Sequence, residues 1–209
     1  MKSKFSPTEL RVIACLIEKQ VSTPDQYPLT FNSLLNACNQ KSNREPVLNL
    51  SEVALQAALD GLVAKRLVHN VAGFNARVPK YQHRFCNSEF GELQFDPQEL
   101  GVLCELMLRG PQTPGELRSR TARLCSFTEV SEVDKVLERL MAAGHVQRLE
   151  REPGKRENRY CQLFGGEPPA SVVPVGSALD RTAELEAEVA RLRQQVADLE
   201  AALARYQSE

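Results

Sequence analysis

Apolar residues recur at helical spacing in two stretches of the chain whose starts lie 90 residues apart, "SPTELRVIACLIEKQ" from Ser6 and "DPQELGVLCELMLRG" from Asp96. Each stretch opens with an N-cap residue, a proline at the first helical position and a glutamate at the third, which is the signature of a helix start. The repeated apolar positions are Leu10, Ile13 and Ile17 in the first stretch and Leu100, Leu103 and Met107 in the second. We therefore predict two equivalent amphipathic helices.

The rest of the apolar pattern also occurs twice. A later helical face is formed by Leu55, Leu59, Leu62 and Val63 in one copy and by Val133, Leu137, Leu140 and Met141 in the other. A shorter helix precedes it, within "LTFNSLLNACN" or "TPGELRSRTARL", and the second of these opens with a capping box from Thr113 to Glu116. Short apolar strands at 67–71 and 146–149 follow, and each leads through a polar loop to a second strand. Those return strands carry Tyr81 and Phe85 in one copy and Tyr160 and Phe164 in the other.

The order helix, helix, helix, strand, loop, strand is that of the winged helix-turn-helix fold. We predict an α+β, mainly helical protein with two tandem winged helix-turn-helix domains at 1–88 and 89–165, followed by a C-terminal coiled-coil helix. The alternative is an unrelated pair of α+β domains, although chance would then have to repeat the whole order.

The C-terminal part of the chain has a different pattern. The segment "GGEPPASVVPVGS" is rich in proline and glycine and predicts a flexible linker at 166–178. A heptad pattern then occupies 179–209, with valine at most a positions and leucine at most d positions, which favours a parallel two-stranded coiled coil and hence a homodimer. The alternative is one amphipathic helix that folds back on its own domain. The positions expected to dimerise are Leu185, Val189, Leu192, Val196, Leu199 and Leu203.

Composition narrows the class of protein. The 209 residues are 42% hydrophobic and 25% charged, with a net charge of −1, as in an ordinary soluble globular protein. Charge is uneven, at +4 for residues 1–90, −1 for 91–164 and −4 for 165–209, so any anion-binding role is local. Neither a signal peptide nor a membrane-length apolar run is evident, and the six cysteines form no C-x-x-C pair. We expect a cytoplasmic protein with reduced, mostly buried thiols and no membrane partner.

Five strings carry a resemblance to a known family: "LIEKQVSTPDQYPL", "ACNQKSNREPV", "RFCNSEFG", "LRGPQTPGELRSR" and "REPGKRENRY". They closely resemble the YceH-like family of bacterial proteins, and the likeness extends over about residues 5 to 165. The resemblance implies a tandem winged-helix fold. It supplies no catalytic residue, ligand or regulatory target, because the function of that family is not established.

The third helix of the first copy is a poor match to a DNA-reading helix. Its outward face carries Val53, Ala57, Asp60, Gly61 and Ala64, and none of these suits a base edge. Because a helix that is apolar on both sides is usually buried on both sides, we expect it to pack against the other domain or a second subunit.

The preceding segment, "CNQKSNREPVLNL" at 38–50, makes the turn before this helix about five residues longer than in the second copy. Lys41 and Arg44 fall on this loop and not on the helix. We expect the loop to cover the outward face of residues 53–64. The alternative is that Lys41 and Arg44 bind an acidic partner.

Better anion-binding candidates lie in the second copy. A positively charged wing can contact the DNA backbone without reading sequence. The candidate residues are Arg118, Arg120 and Arg123 on the second helix, Lys135 and Arg139 on the third, and Arg151, Lys155, Arg156 and Arg159 on the wing. The alternative is a solvated surface in which neighbouring glutamates pair with these cations.

Catalytic and metal-binding patterns are not evident in the sequence. His69 and His145 occupy near-equivalent positions at the start of the hairpins, which suggests a structural role, and His83 with Cys86 forms a lone H-x-x-C pair. There is no glycine-rich phosphate loop, G-x-S-x-G or H-E-x-x-H. We expect a non-enzymatic protein without cofactor or metal.

Two functions remain. The leading hypothesis is a dimeric DNA-binding protein that contacts phosphates through the second wing, with transcriptional regulation as the expected role. The alternative is a protein-interaction scaffold that uses the same fold without reading DNA. The residues that the scaffold would offer a partner are Lys41, Arg44, Val53, Ala57 and Ala64.

Overall fold

A computed structural model gives the fold over residues 4–71, 78–89, 91–151 and 154–165, together with residue 191. Within these residues the chain forms six α-helices, and two single turns of 3-10 helix lie at Pro24–Gln26 and Thr121–Arg123. The helices are α1 (Pro7–Ser22), α2 (Phe31–Cys38), α3 (Glu52–Ala64), α4 (Pro97–Arg109), α5 (Pro114–Arg120) and α6 (Val130–Ala142). The strands are β1 (Leu29–Thr30), β2 (Val68–Asn70), β3 (Lys80–His83), β4 (Val146–Arg148) and β5 (Tyr160–Gln162).

The strands form two small antiparallel sheets. In the first, β3 lies between β1 and β2, with Leu29 opposite Tyr81 and Val68 opposite His83. In the second, β4 pairs with β5 so that Gln147 faces Cys161. The predicted α+β class is therefore confirmed. Three α-helices and a following pair of strands occur twice among the described elements, and the first copy has an additional strand, β1, between α1 and α2, which the sequence pattern did not indicate.

Three helices start where the sequence predicts. The Ser6 hydroxyl accepts a hydrogen bond from the Glu9 amide at 3.2 Å, and the Glu9 carboxylate accepts one from the Ser6 amide at 2.9 Å. The same reciprocal capping box forms at Asp96 with Glu99 and at Thr113 with Glu116. Each box satisfies amide groups that the first helical turn leaves without a partner, which stabilises that end of the helix.

Helix α1 lies at the centre of the molecule. Every residue from Glu9 to Glu18 is buried, because α2, α3 and α4 surround this helix. Helices α1 and α4 run antiparallel: Arg11 contacts Leu108, and the Cys104 thiol donates to the Ala14 carbonyl at 3.4 Å. One continuous hydrophobic core thus includes side chains from both copies of the pattern.

An aromatic stack makes a second junction between the copies. Phe85 and Phe164 follow β3 and β5 instead of belonging to them, and their rings meet edge to face at 5.1 Å. His145 stacks on Phe164 at 5.4 Å, and Phe95 meets the edge of His145 at 5.3 Å. His145 is therefore packed as a structural residue, as the sequence indicates. The predicted return strands are two residues shorter than expected, because these phenylalanines turn into the core.

Several predictions fall outside the described residues. The chain divides into two compact units, residues 1–168 and 169–209, and all the helices and strands given above belong to the first. The linker, the coiled-coil positions from Leu185 to Leu203 and the tip of the first wing at 72–77 cannot be compared with the structure. None of the helices within the described ranges combines the length and the apolar composition of a membrane span. The winged-helix assignment and its domain boundaries stay predictions.

A glycine on α4 provides a test of this packing. A Cβ at Gly101 would lie 2.5 Å from the Cys125 sulfur, whereas a Cβ at Gly115 would meet nothing within 4 Å. Gly101→Ala should therefore destabilise the protein by about 1–2 kcal/mol, because overpacking outweighs the gain in helix propensity. In a Cys125→Ala background the same change should stabilise by about 0.5–1 kcal/mol. Urea unfolding measures both differences. Gly115→Ala is the control and should not lower the free energy of unfolding. If Gly101→Ala still destabilises the protein in the Cys125→Ala background, the packing of Gly101 against the Cys125 sulfur is contradicted.

Candidate functional site

The segment 38–50 lies between α1 and α4 instead of over α3. Arg44 has a fully buried side chain, and its guanidinium holds the Glu18 carboxylate through two hydrogen bonds, Nη1 to Oε1 at 3.2 Å and Nη2 to Oε2 at 2.6 Å. The same guanidinium donates to the carbonyls of Ala37 and Asn43 at 3.1 and 2.8 Å. The segment is therefore anchored from inside the protein by one arginine.

A second buried arginine also holds this segment through hydrogen bonds to carbonyl groups. Arg11 of α1 is 3% exposed and donates to the carbonyls of Cys38 at 3.2 Å, Pro46 at 2.7 Å and Leu108 at 3.5 Å. Cys38 and Leu108 lie in the last turns of α2 and α4, where carbonyl groups have no partner within the helix. One guanidinium thus satisfies polar groups from two helix ends and from the segment between them.

Helix α4 contributes a buried carboxyl group to the same region. Asn43 donates to Glu105 Oε1 at 2.9 Å and accepts from Arg109 at 3.1 Å, while the amide of Glu45 donates to the Leu108 carbonyl at 2.9 Å. Burial raises the pKa of Glu105, and the negative charge of Glu18 adds to that effect, although the Asn43 hydrogen bond opposes it. Its Oε2 is buried without a partner among the described residues.

We call this set the charged seam, and it consists of Arg11, Glu18, Asn43, Arg44, Glu105 and Arg109. Although burial alone would raise the pKa of Glu18, the hydrogen bonds and charge of Arg44 hold it below its usual range. Glu18 therefore stays ionised inside the protein. Lys19 and Arg123 lie beside it, at 3.2 and 3.7 Å from its carboxylate oxygens.

The predicted role of the segment 38–50 is corrected by these contacts. The described residues leave the outward face of α3 open: Val53 is 79% exposed, and Ala57 and Ala64 are exposed as well. The segment therefore does not cover that face, because Arg44 draws it towards Glu18. Arg44 is also removed from the set of surface residues that an acidic partner could bind, whereas Lys41 is exposed.

Helix α3 is also not packed on the other half of the chain through that face. The exposed residues of its outward side include Asp60, whose carboxylate accepts a hydrogen bond from Gln56 at 2.8 Å, and Gly61 is half-buried beside Glu9. The expectation that this face packs against the other domain is wrong for the described residues. Packing against a second subunit stays a prediction.

Two of the predicted anion-binding arginines share one acidic partner. Arg120 and Arg159 lie 3.3 and 3.1 Å from the two oxygens of Glu116, and Arg159 also donates to the Pro111 carbonyl at 3.1 Å. Glu116 thereby links α5 to the strand that returns from the wing. These two guanidinium groups are therefore already paired with a carboxylate within the chain.

Three further arginines of that prediction have partners too. Arg139 lies 2.9 Å from both Asp96 and Glu99, so the third helix of the second copy is held against the start of α4. Arg118 donates to the Thr128 carbonyl at 2.8 Å. Arg123 makes only the longer 3.7 Å contact with Glu18, and its side chain is 60% exposed.

The remaining four cations are exposed and form no ion pair within the described residues. They are Lys135 on α6 and Arg151, Lys155 and Arg156 on the wing between β4 and β5. Gly154, with φ of +79°, makes the turn at the tip of this wing, in a conformation that glycine adopts readily. Burial and the charges of Glu138 and Glu157 raise the pKa of Asp134, so acidic groups of α6 and of the wing lie near one another.

His83 and five of the six cysteines are buried. His83 is buried and shares a hydrogen bond with Gln20, and burial lowers the pKa of its ring to about 4. All six cysteines are free thiols, five of them buried, and burial raises the pKa of Cys86 to about 12. In the described part of the chain, no three His, Cys, Asp or Glu side chains are grouped so that they could hold a metal ion.

Sequence reasoning missed most of the charged seam. Arg11 and Glu18 lie seven residues apart on an otherwise apolar helix, so they share the face that contains Ala14 and Cys15. Charged residues on a face that must be buried are a signal that they are paired inside the protein. The sequence contains that signal, but it does not indicate which distant residue pairs with each charge.

Comparison with known proteins places the chain among relatives of similar length. The family described as "Protein of unknown function, DUF480" matches residues 5–155. A "UPF0502 protein" of Aeromonas hydrophila is 61% identical over 205 residues, which cover 94% of each chain. A "UPF0502 protein" of Vibrio atlanticus is 56% identical over 212 residues, which cover 96% of this chain and 97% of that one.

The pairing of Arg44 with Glu18 predicts a large and non-additive effect of substitution. Arg44→Met leaves the Glu18 charge buried without its main partner and should cost about 3–5 kcal/mol in the free energy of unfolding. Arg44→Met with Glu18→Met should cost less than the two single changes added together, because they share one interaction. Denaturant unfolding of the unchanged protein, the two single variants and the double variant measures this double-mutant cycle. Lys41→Met, in the same segment but exposed, should change stability by no more than about 0.5 kcal/mol; a similar value for Arg44→Met would contradict the assignment.

Proposed function

The chain belongs to the DUF480 family of proteins of unknown function, and from that premise we propose that it is a non-enzymatic, dimeric, tandem winged helix-turn-helix protein that binds duplex DNA through phosphate contacts. The doubled order of three helices and an antiparallel hairpin supports this architecture. The fold alone does not imply the function, so the argument rests on the cations that the fold exposes.

The observation that carries the proposal is the group of four exposed cations on one copy of the fold. Lys135, Arg151, Lys155 and Arg156 form no ion pair within the described ranges, whereas Arg120, Arg139 and Arg159 are paired with carboxylates. Free cations gain more from a phosphate than cations that must first give up a partner. The proposed contact surface is therefore α6 together with the wing between β4 and β5.

This surface favours binding to the DNA backbone over recognition of sequence. Beside Lys135, the outer side of α6 carries Ser131, Asp134 and Glu138. Carboxylates repel phosphate and can accept hydrogen bonds only from the amino groups of cytosine and adenine in the major groove. Phosphate contacts fix the position of a protein on the duplex but carry no sequence information directly. A regulatory role would then need a further source of specificity, such as DNA shape or a partner.

Self-association is part of the proposal. The heptad positions Leu185, Val189, Leu192, Val196, Leu199 and Leu203 favour a two-stranded coil and lie outside the described residues. A dimer would present two wings to one duplex, which raises the effective affinity when both engage.

A second candidate function rests on the open face of α3. Val53, Ala57 and Ala64 are exposed, and the helix carries Glu52 and Asp60 but no lysine or arginine. An exposed apolar face with acidic neighbours suits a protein partner whose facing surface is apolar and basic. This scaffold function requires no DNA binding, so the DNA titration below separates the two candidates.

Salt-dependent binding to random-sequence duplex DNA tests the first candidate. Fluorescence anisotropy at low salt should give Kd between about 10⁻⁴ and 10⁻⁶ M, and log K should fall with log salt at a slope of about −3.6 for four phosphate contacts. The triple variant Arg151→Gln, Lys155→Gln and Arg156→Gln should reduce the magnitude of the slope to about 0.9.

A control with the same change of charge makes this test specific. Lys41→Gln, Lys80→Gln and Arg84→Gln also remove three exposed cations, but on the first copy. This variant should bind with nearly unchanged slope. If it loses as much affinity as the wing variant, binding follows net charge and not the proposed surface. Kd weaker than about 10⁻⁴ M at low salt would contradict DNA binding and leave the scaffold function.

A further inference from the structure

An apolar pocket of about 300 Å³ lies where the last turns of α1 meet the first turns of α4. Ile17 and Val21 line it from α1, Leu100 lines it from α4, and Leu124 lines it from the connection between α5 and α6. The volume is at the lower end of the range for small-molecule sites in proteins. Both copies of the fold therefore contribute to one pocket.

The polar side chain in the pocket lining already has hydrogen-bond partners within the protein. The Asn87 side chain donates to the Phe95 carbonyl at 2.9 Å and accepts from the Phe95 amide at 2.7 Å, so its amide fixes the wall of the pocket. A molecule inside would meet hydrocarbon on most sides. The body of any ligand must then be apolar.

The surroundings of the pocket carry an excess of positive charge. Next to the lining residue Ile17, the Glu18 carboxylate faces Arg44, Lys19 and Arg123. At the α4 end of the pocket, the carboxylates of Asp96 and Glu99 are both paired with Arg139. The excess of cations therefore lies at the Glu18 end, where three cations stand against one carboxylate. The region is therefore electrostatically suited to one more negative charge.

Arg123 is the cation best placed to bind such a charge. It directly precedes the lining residue Leu124, its side chain is 60% exposed, and among the described residues its one ion pair is the 3.7 Å contact with Glu18. Arg44 keeps Glu18 paired at 2.6 Å when Arg123 moves away. Turning to a new anion would cost this arginine little.

We propose that this pocket binds a small amphipathic carboxylate, with its hydrocarbon body between Ile17, Val21, Leu100 and Leu124 and its carboxylate on Arg123. The proposal does not depend on DNA binding. Because α1 and α4 both line the pocket, a bound molecule would contact both copies of the fold. It would do so at the opposite end of the α1–α4 contact from most of the charged seam.

Methyl NMR of the full chain with octanoate tests the inference. Octanoate should shift the methyl signals of Ile17, Leu100 and Leu124 saturably, with Kd below about 1 mM. Octanol, which has the same chain without the charge, should bind about 2–5-fold more weakly, the range expected for an exposed ion pair. Arg123→Gln should remove that preference, and Arg148→Gln, another exposed arginine, should keep it.

A variant that fills the pocket completes the test. Val21 is 41% exposed, so Val21→Phe should place a ring in the pocket without disturbing the core and abolish the octanoate shifts. Val78→Phe, at another exposed valine, should bind octanoate normally. The inference is overturned if octanoate gives no saturable shift up to about 10 mM, if octanol binds equally well, or if binding survives in a folded Val21→Phe protein.

Discussion

The buried ion pair between Arg44 and Glu18 is the interaction on which the rest of this fold depends. It joins the segment after α2 to the central helix α1 with two hydrogen bonds of 3.2 and 2.6 Å, and both side chains are almost completely buried. Placing two charges in the interior is costly unless they remain paired, so each holds the other in place. The segment 38–50 consequently lies between the two copies, and the shared core and the open face of α3 both follow from that position.

The two copies of the pattern differ in how they are packed and in which charged side chains they expose. Both carry a capping box at the start of their first helix, and both first helices, α1 and α4, are largely buried. In the second copy, the outer side of α6 and the described residues at the tip of its wing are exposed. In the first copy, the additional residues before α3 contribute side chains to the charged seam. In the second, Glu116 and the acids at the start of α4 pair with several arginines, while α6 and the wing carry exposed cations that form no ion pair within the described residues. Functional proposals therefore concentrate on the second copy.

Local signals in the sequence identify where helices start. They do not identify which distant residues pair with one another. The N-cap residues Ser6, Asp96 and Thr113 identify helix starts because capping depends on residues three positions away. Arg44 could not be assigned, because its partner Glu18 lies 26 residues earlier and a loop arginine is usually exposed. Similarly, the cations of the second copy are apparent in the sequence, whereas which of them remain unpaired depends on contacts as distant as Arg139 with Asp96.

Native-state hydrogen exchange tests most directly whether the charged seam makes the two copies one cooperative unit. The core amides of α1 and α4 should exchange with the same opening free energy, equal to that of global unfolding, and Arg44→Met should lower both together. If α4 and α6 instead open at a distinctly lower free energy while α1 stays protected, the copies unfold independently. That result would contradict the central role of the Arg44–Glu18 pair.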